Sequence, residues 1–207
     1  NLEENLSMIR DTVSFLTSEG LTVFYDAEHF FDAYKSNPEY ALKTLTAAQE
    51  SGAQAICLCD TNGGTLTSET GKIVSSVRGH IKVALGIHCH NDCGVAIANS
   101  LIAVENGADM VQGTINGIGE RAGNADLIPI IANLQLKMDV RCIENEALKE
   151  LTHVSHYISE IANIKQKNDQ PYVGASSFAH KGGMHINAIT KNSKTYEHID
   201  PSLVGNT

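Results

Sequence analysis

One unit recurs four times along this chain: a short apolar run, a polar loop and a helical stretch. The apolar runs are Leu21–Tyr25, Ala53–Cys59, Val83–Ile87 and Met110–Ile115, and they begin roughly 27 to 33 residues apart. That is the size of a βα unit. The helical stretches run from Pro38 to about Ser51, from near Thr67, from about Gly94 to Asn106 and from about Asp126 to Leu136. Thr67-Ser68-Glu69-Thr70 offers capping side chains to the second of these. Gly20, Gly52 and Gly107 stand where a helix should stop and the next strand begin. Near-continuous apolar strands imply a sheet covered on both faces, hence a parallel one.

Ahead of the first run, Leu2, Leu6, Ile9, Val13 and Leu16 mark one more helix face. Four βα units behind a leading helix make half of an eight-fold barrel, which takes about 250 residues in full. A doubly wound open sheet would show the same rhythm, but no Gly-x-Gly-x-x-Gly follows the first run. After about Val140 the rhythm changes. Leu148, Leu151, Val154, Ile158 and Ile161 define a helix face, Gln166–Gly174 reads as a polar loop, and no strand signal returns. The expected fold is therefore α/β: half of a (βα)8 TIM barrel over residues 1–139 and a helical subdomain over 140–207.

Composition narrows the function. With 42% hydrophobic and 19% charged residues the chain can build a core, and its net charge of -9 is unsuited to a nucleic-acid surface. No apolar run approaches a membrane span, and Asn1–Asn5 does not read as a signal peptide, so neither membrane nor export is expected. Five cysteines, Cys57, Cys59, Cys89, Cys93 and Cys142, lie in apolar or strand-like surroundings. Their odd number and their spacings fit buried, inert thiols of a cytoplasmic protein better than disulfides or a structural zinc site.

Chemistry gathers where the strands end. The first run leads into Asp26 and Glu28, the second into Asp60-Thr61, the third into His88 and His90, and the fourth into Thr114–Gly117 and Gly119–Asn124. In an extended segment His88 and His90 point to one face, as metal binding requires. Alone, the pair reads equally well as two hydrogen-bonded histidines. Its place at a strand end of a parallel α/β fold favours ligation. Two imidazoles with an oxygen ligand suit several divalent ions, and the Asn124 amide is the best third ligand in the chain. Without the histidines, Asn124 would read as a turn residue. Glu120-Arg121 reads as a substrate contact or, preferably, as a charge pair that fixes the loop.

Two segments carry a resemblance. Leu85-x-x-His88-x-His90-Asn91-Asp92-x-Gly94-x-Ala96-x-Ala98-Asn99 and Asn116-Gly117-Ile118-Gly119-Glu120-Arg121-Ala122-Gly123-Asn124 resemble the 2-isopropylmalate, citramalate and homocitrate synthase family. These are metal-dependent barrel enzymes related to hydroxymethylglutaryl-CoA lyase. Phe178–His185 together with Thr195–Pro201 most resembles the citramalate branch. The family's Asp-Thr-Thr-Leu-Arg-Asp-Gly segment does not occur here. By resemblance the chain is the second half of the barrel plus the start of the linker region, and a piece of this extent is expected to be inactive by itself.

The resemblance implies a homodimeric acyltransferase of amino-acid biosynthesis that condenses acetyl-CoA with a 2-oxo acid, pyruvate in the citramalate branch. It implies a divalent ion (Zn, Mn or Mg) on His88 and His90, with Asn124 a weaker or adjacent ligand. Thr61 would hold the oxo-acid carboxylate. Glu28, or failing that Asp26, would be the base, and period two does not separate them. His185 would lie near the acyl group and orient a hydrolytic water. An inactive relic serving as a binding protein, or a lyase running in the cleavage direction, would carry the same motifs. The lyase-type cysteine loop is absent.

Overall fold

The structure, a computed structural model, describes residues 1–207. Its elements follow the repeat: α1 (Leu2–Ser18), β1 (Phe24–Ala27), α2 (Phe30–Ser36), α3 (Pro38–Glu50), β2 (Ala55–Asp60), α4 (Thr67–Arg78), β3 (Ala84–Cys89), α5 (Ala96–Glu105), β4 (Met110–Gln112), α6 (Leu127–Lys137), α7 (Asn145–Leu148), α8 (Leu151–Ile161) and α9 (Gly183–Lys191). The four strands form one parallel sheet in the order β1-β2-β3-β4. This is half of a (βα)8 barrel, each strand lying beside its predecessor.

Local chemistry explains most boundaries. Asn37 accepts a hydrogen bond from the Tyr40 amide and Pro38 occupies the first turn, so α3 starts abruptly. Gly52 and Gly107 end the turns after α3 and α5 at φ of +105° and +98°, values that glycine adopts without penalty. α4 begins at Thr67, but its cap is Leu66, whose side chain makes no capping bond. The run of capping residues falls inside the first turn.

Three features depart from the sequence reading. β1 lies at Phe24–Ala27, later than the run Leu21–Tyr25, which draws Asp26 into the strand. β4 stops at Gln112, because the Thr114 amide turns to the Ala125 carbonyl (3.0 Å) and a short 3-10 turn follows. α2 is absent from the periodicity because it is only seven residues long. Adjacent Phe30 and Phe31 are both buried in it, edge to face at 6.1 Å.

Two compact units result, 1–125 and 126–207. In the first, Ile56, Leu58, Leu85, Ile87 and Leu45 are fully buried, each contributing about 1.5–3 kcal/mol of apolar burial. The second is tied internally: the Tyr172 hydroxyl donates to Asn133 Oδ1 (2.9 Å), Thr152 donates to the Val204 carbonyl (2.7 Å), and Asn206 donates to the carbonyls of Tyr172 and Gly174. No helix is long and apolar enough to cross a membrane.

Of the five cysteines, all free, Cys57, Cys59 and Cys89 are buried, whereas Cys93 and Cys142 are exposed. The expectation of five buried thiols is corrected for these two, which sit in loops outside the strands. The Cys57 thiol is pushed up by its contact with Cys59 and by burial, and that of Cys89 by burial, so both stay protonated and inert.

Candidate metal and substrate site at the strand ends

Register decides which side chains meet. Asp26, Cys57, Gly86 and Met110 are lateral partners, and Cys59, His88 and Gln112 form the next such row. Residues in register on parallel strands point to the same side, so Asp26, His88 and Gln112 share the face opposite the one that bears Ile56, Leu58, Leu85 and Ile87. At the C-terminal end of β3 the rings of His88 and His90 lie 5.2 Å apart, centroid to centroid.

Asn124 arrives by backbone pairing. The Ala125 amide donates to the Cys89 carbonyl (2.9 Å), the Asn91 amide to the Gly123 carbonyl (2.9 Å), and His90 and Asn124 form an antiparallel bridge. The Asn124 amide oxygen thus stands 3.1 Å from His88 Nε2. On the other side of that ring, Nδ1 lies 2.9 Å from Gln112 Oε1. Gln112 Nε2 in turn donates to Asp26 Oδ1 (3.0 Å), which orients its amide with the oxygen toward the histidine. Both ring nitrogens of His88 thus face amide oxygens, and a neutral imidazole has only one N–H to offer the two of them. A cation beside Nε2 and the Asn124 oxygen would take the place of the second proton. His90 Nδ1 is buried and has no hydrogen-bond partner. These donors fit a divalent ion. No group of three His, Cys, Asp or Glu side chains could enclose one, so a third donor from this chain would be the amide of Asn124.

The neighbouring strand end is built around Asp60, whose buried carboxylate accepts from the Thr65 amide (3.2 Å) and hydroxyl (2.9 Å). Burial raises its pKa, and the Thr65 bonds oppose the rise. Thr61 follows, its hydroxyl donating to Glu28 Oε2 (2.7 Å) and accepting from the His29 amide (2.8 Å). Asp26 and Glu28 are therefore separated by their partners: Asp26 is engaged by Gln112, Glu28 by Thr61.

Arg121 does not pair with Glu120. Its guanidinium grips both oxygens of Asp92 (2.9 and 3.0 Å) and donates to the Thr61 carbonyl (2.8 Å). It clasps the loops after β2, β3 and β4 together, and the bond to Arg121 holds the Asp92 carboxyl below the usual range. His185 lies in α9 of the second unit, exposed and stacked on Tyr196 at 4.3 Å.

Sequence reasoning missed Gln112 and the Asp92–Arg121 pair. For Gln112 a signal existed, since it is a polar side chain inside an otherwise apolar strand run. The Asp92–Arg121 pair joins residues 29 positions apart, and no local pattern announces it.

Gly123 positions Asn124. Its φ is +96°, and a Cβ there would lie against the Gly117 carbonyl oxygen at the core of the turn. Gly123→Ala should cost about 2 kcal/mol of stability through the left-handed backbone and the clash. It should also weaken divalent-ion binding by moving Asn124. Urea denaturation beside a Mn2+ titration checks both, and an unchanged Kd would show that Asn124 does not contribute.

Parallel βα units with histidines and an amide at the carboxyl ends of their strands define a (βα)8-type site. The sequence profile described as HMGL-like matches residues 1–158, and the chain belongs to that family. A second profile, homocitrate synthase post-HMGL domain-like, matches residues 172–207. The chain is 55% identical over its whole length to an (R)-citramalate synthase of Synechocystis sp., of which it covers 39%. It is 35% identical over 98% of its length to a 2-isopropylmalate synthase of Methanocaldococcus jannaschii, covering 38% of that protein. The chain thus spans about two-fifths of the length of these relatives. Among solved structures, the HMG-CoA lyase of Bacillus subtilis superposes with a TM-score of 0.65 at 21% identity, over 78% of this chain and 57% of the lyase. That likeness establishes the barrel fold.

Proposed function

We propose that this chain supplies the second barrel half of a divalent-metal-dependent acyltransferase that condenses acetyl-CoA with pyruvate to give citramalate and free CoA. The observation that carries this reading is the 55% identity to a citramalate synthase over the entire chain, against 35% for a 2-isopropylmalate synthase.

His88, His90 and the Asn124 amide would hold the ion, and their nitrogen and oxygen donors accommodate Zn, Mn or Mg. When bound, the ion supplies Lewis-acid polarisation of the oxo acid's ketone and stabilises the negative charge developing on its oxygen. At the end of β2 the Thr61 hydroxyl, which donates to Glu28 in the substrate-free protein, turns its one proton to the oxo-acid carboxylate when that substrate binds. Glu28, released beside it, takes a proton from the acetyl methyl group. The resulting carbon nucleophile adds to the ketone carbon, and the oxygen gains a proton. Hydrolysis of the thioester then breaks the carbon–sulfur bond, with His185 orienting the water. Arg121 keeps the three loops in place and takes no part in bond making.

A second copy of the chain is the proposed partner, supported by exposed Met184 and Ile186 on α9. The buried free thiols fit a reducing cytoplasm.

Specificity constants of the full-length enzyme for pyruvate, 2-oxoisovalerate and 2-oxoglutarate test the substrate. Pyruvate should lead. One methylene is worth only about 1–3 kcal/mol of discrimination, so a tenfold lead for 2-oxoisovalerate, about 1.4 kcal/mol, would assign the chain to the isopropylmalate branch. No turnover of acetyl-CoA with any of the three would favour a binding protein.

A further inference from the structure

A hydrogen bond joins β1 to β4, strands that are not neighbours. Strands are spaced about 4.8 Å apart with a rise of about 3.3 Å per residue, so three intervals and the two-residue offset between their rows put the backbones of Asp26 and Gln112 about 16 Å apart in a flat sheet. Yet their side chains meet at 3.0 Å. The sheet must be curved, with both side chains on its concave face. Among the residues in register with Asp26, Gly86 has no side chain, and a Cβ there would fall 2.6 Å from Met110 Cε and 3.2 Å from Cys57 Sγ. Met110 and Cys57 fill the place a side chain at Gly86 would take, and β3 puts no side chain from this row between Asp26 and Gln112.

The direction of this bond has a chemical consequence. A carboxylate only accepts hydrogen bonds, so Asp26 takes the NH2 end of the Gln112 amide. The oxygen end is left for His88 Nδ1, 2.9 Å away. A neutral imidazole that donates from Nδ1 carries its lone pair on Nε2.

We propose that Asp26 and Gln112 are positioning residues that hold His88 in the Nδ1–H tautomer and so keep Nε2 free as a metal donor. This rests on the reading of His88 as a ligand. It also gives Asp26 a task other than proton abstraction. The relay runs through side chains 86 positions apart in sequence. Partners of this kind around metal-bound histidines are worth roughly 10- to 100-fold in metal affinity.

The test uses the full-length protein, with 1H–15N imidazole correlation spectra recorded metal-free and Mn2+ affinity measured by titration. In the wild type His88 should show the Nδ1–H tautomer. Asp26→Leu and Gln112→Leu should each shift it toward Nε2–H or a mixture and raise the Mn2+ Kd roughly 10- to 100-fold. The double variant Asp26→Asn with Gln112→Glu reverses donor and acceptor between the two side chains yet still presents an acceptor to Nδ1. It should restore the wild-type tautomer and most of the affinity, which a merely structural contact would not do. Unchanged spectra and Kd in both single variants would overturn the proposal. So would a double variant that loses as much as the singles. If one leucine variant does not fold, the other and the double variant decide. Wild-type protein that shows the tautomer pattern but binds no Mn2+ would refute the ligand role of His88 and leave the relay standing.

Discussion

Replacing both His88 and His90 by alanine should abolish divalent-ion binding while leaving the fold nearly intact. Two of the three protein donors identified here disappear, and Asn124 alone is too weak a ligand to retain an ion. A loss of at least roughly 100-fold in Mn2+ affinity is expected, since even supporting residues contribute 10- to 100-fold. Stability should change by about 1 kcal/mol or less, because both rings are only half buried and stand at the end of β3, outside the apolar core. A Mn2+ titration and a thermal melt of the same sample separate the two effects. Full activity of the double variant at low metal concentration would remove these histidines from the site.

Glu28→Gln should lower kcat of the full-length enzyme by roughly 10²–10⁴, the usual contribution of a positioned general base. The amide of the new side chain still accepts the Thr61 hydroxyl's hydrogen bond, so the loop geometry and KM for the oxo acid should change little. That split between kcat and KM separates loss of a base from loss of a binding group. Retention of kcat within threefold would place the base elsewhere. The geometry favours Glu28 over Asp26, because the Asp26 carboxylate is committed to Gln112 whereas Glu28 is held at the strand end beside Thr61.

Much of the fold was legible because its determinants are local. Helices α3 and α6 follow from Asn37-Pro38 and Asp126, whose side chains cap the turns that immediately follow them. The strands β2 and β3 follow from apolar runs covered on both faces. α2 escaped notice because seven residues hold too few turns for a helical period to show, and β4 was overextended because Thr114 and Ile115 are as β-prone as the residues before them. The bond of the Thr114 amide to the Ala125 carbonyl of the returning segment, not propensity, ends the strand.

For the site, the sequence by itself determined that His88 and His90 would share a face, since period two is a property of any extended chain. It determined as well that Asp60, Thr61 and Glu28 would gather at strand ends. Only the tertiary structure decided which atoms touch. The partner of Arg121 is Asp92 and not its sequence neighbour Glu120, because adjacent side chains diverge while loops from different strands converge. Asn124 reaches His88 because its segment pairs with the end of β3. Asp26 reaches Gln112 across three strand intervals because the sheet curves. Curvature and loop pairing arise from packing summed over the whole sheet, and no short stretch of residues encodes them.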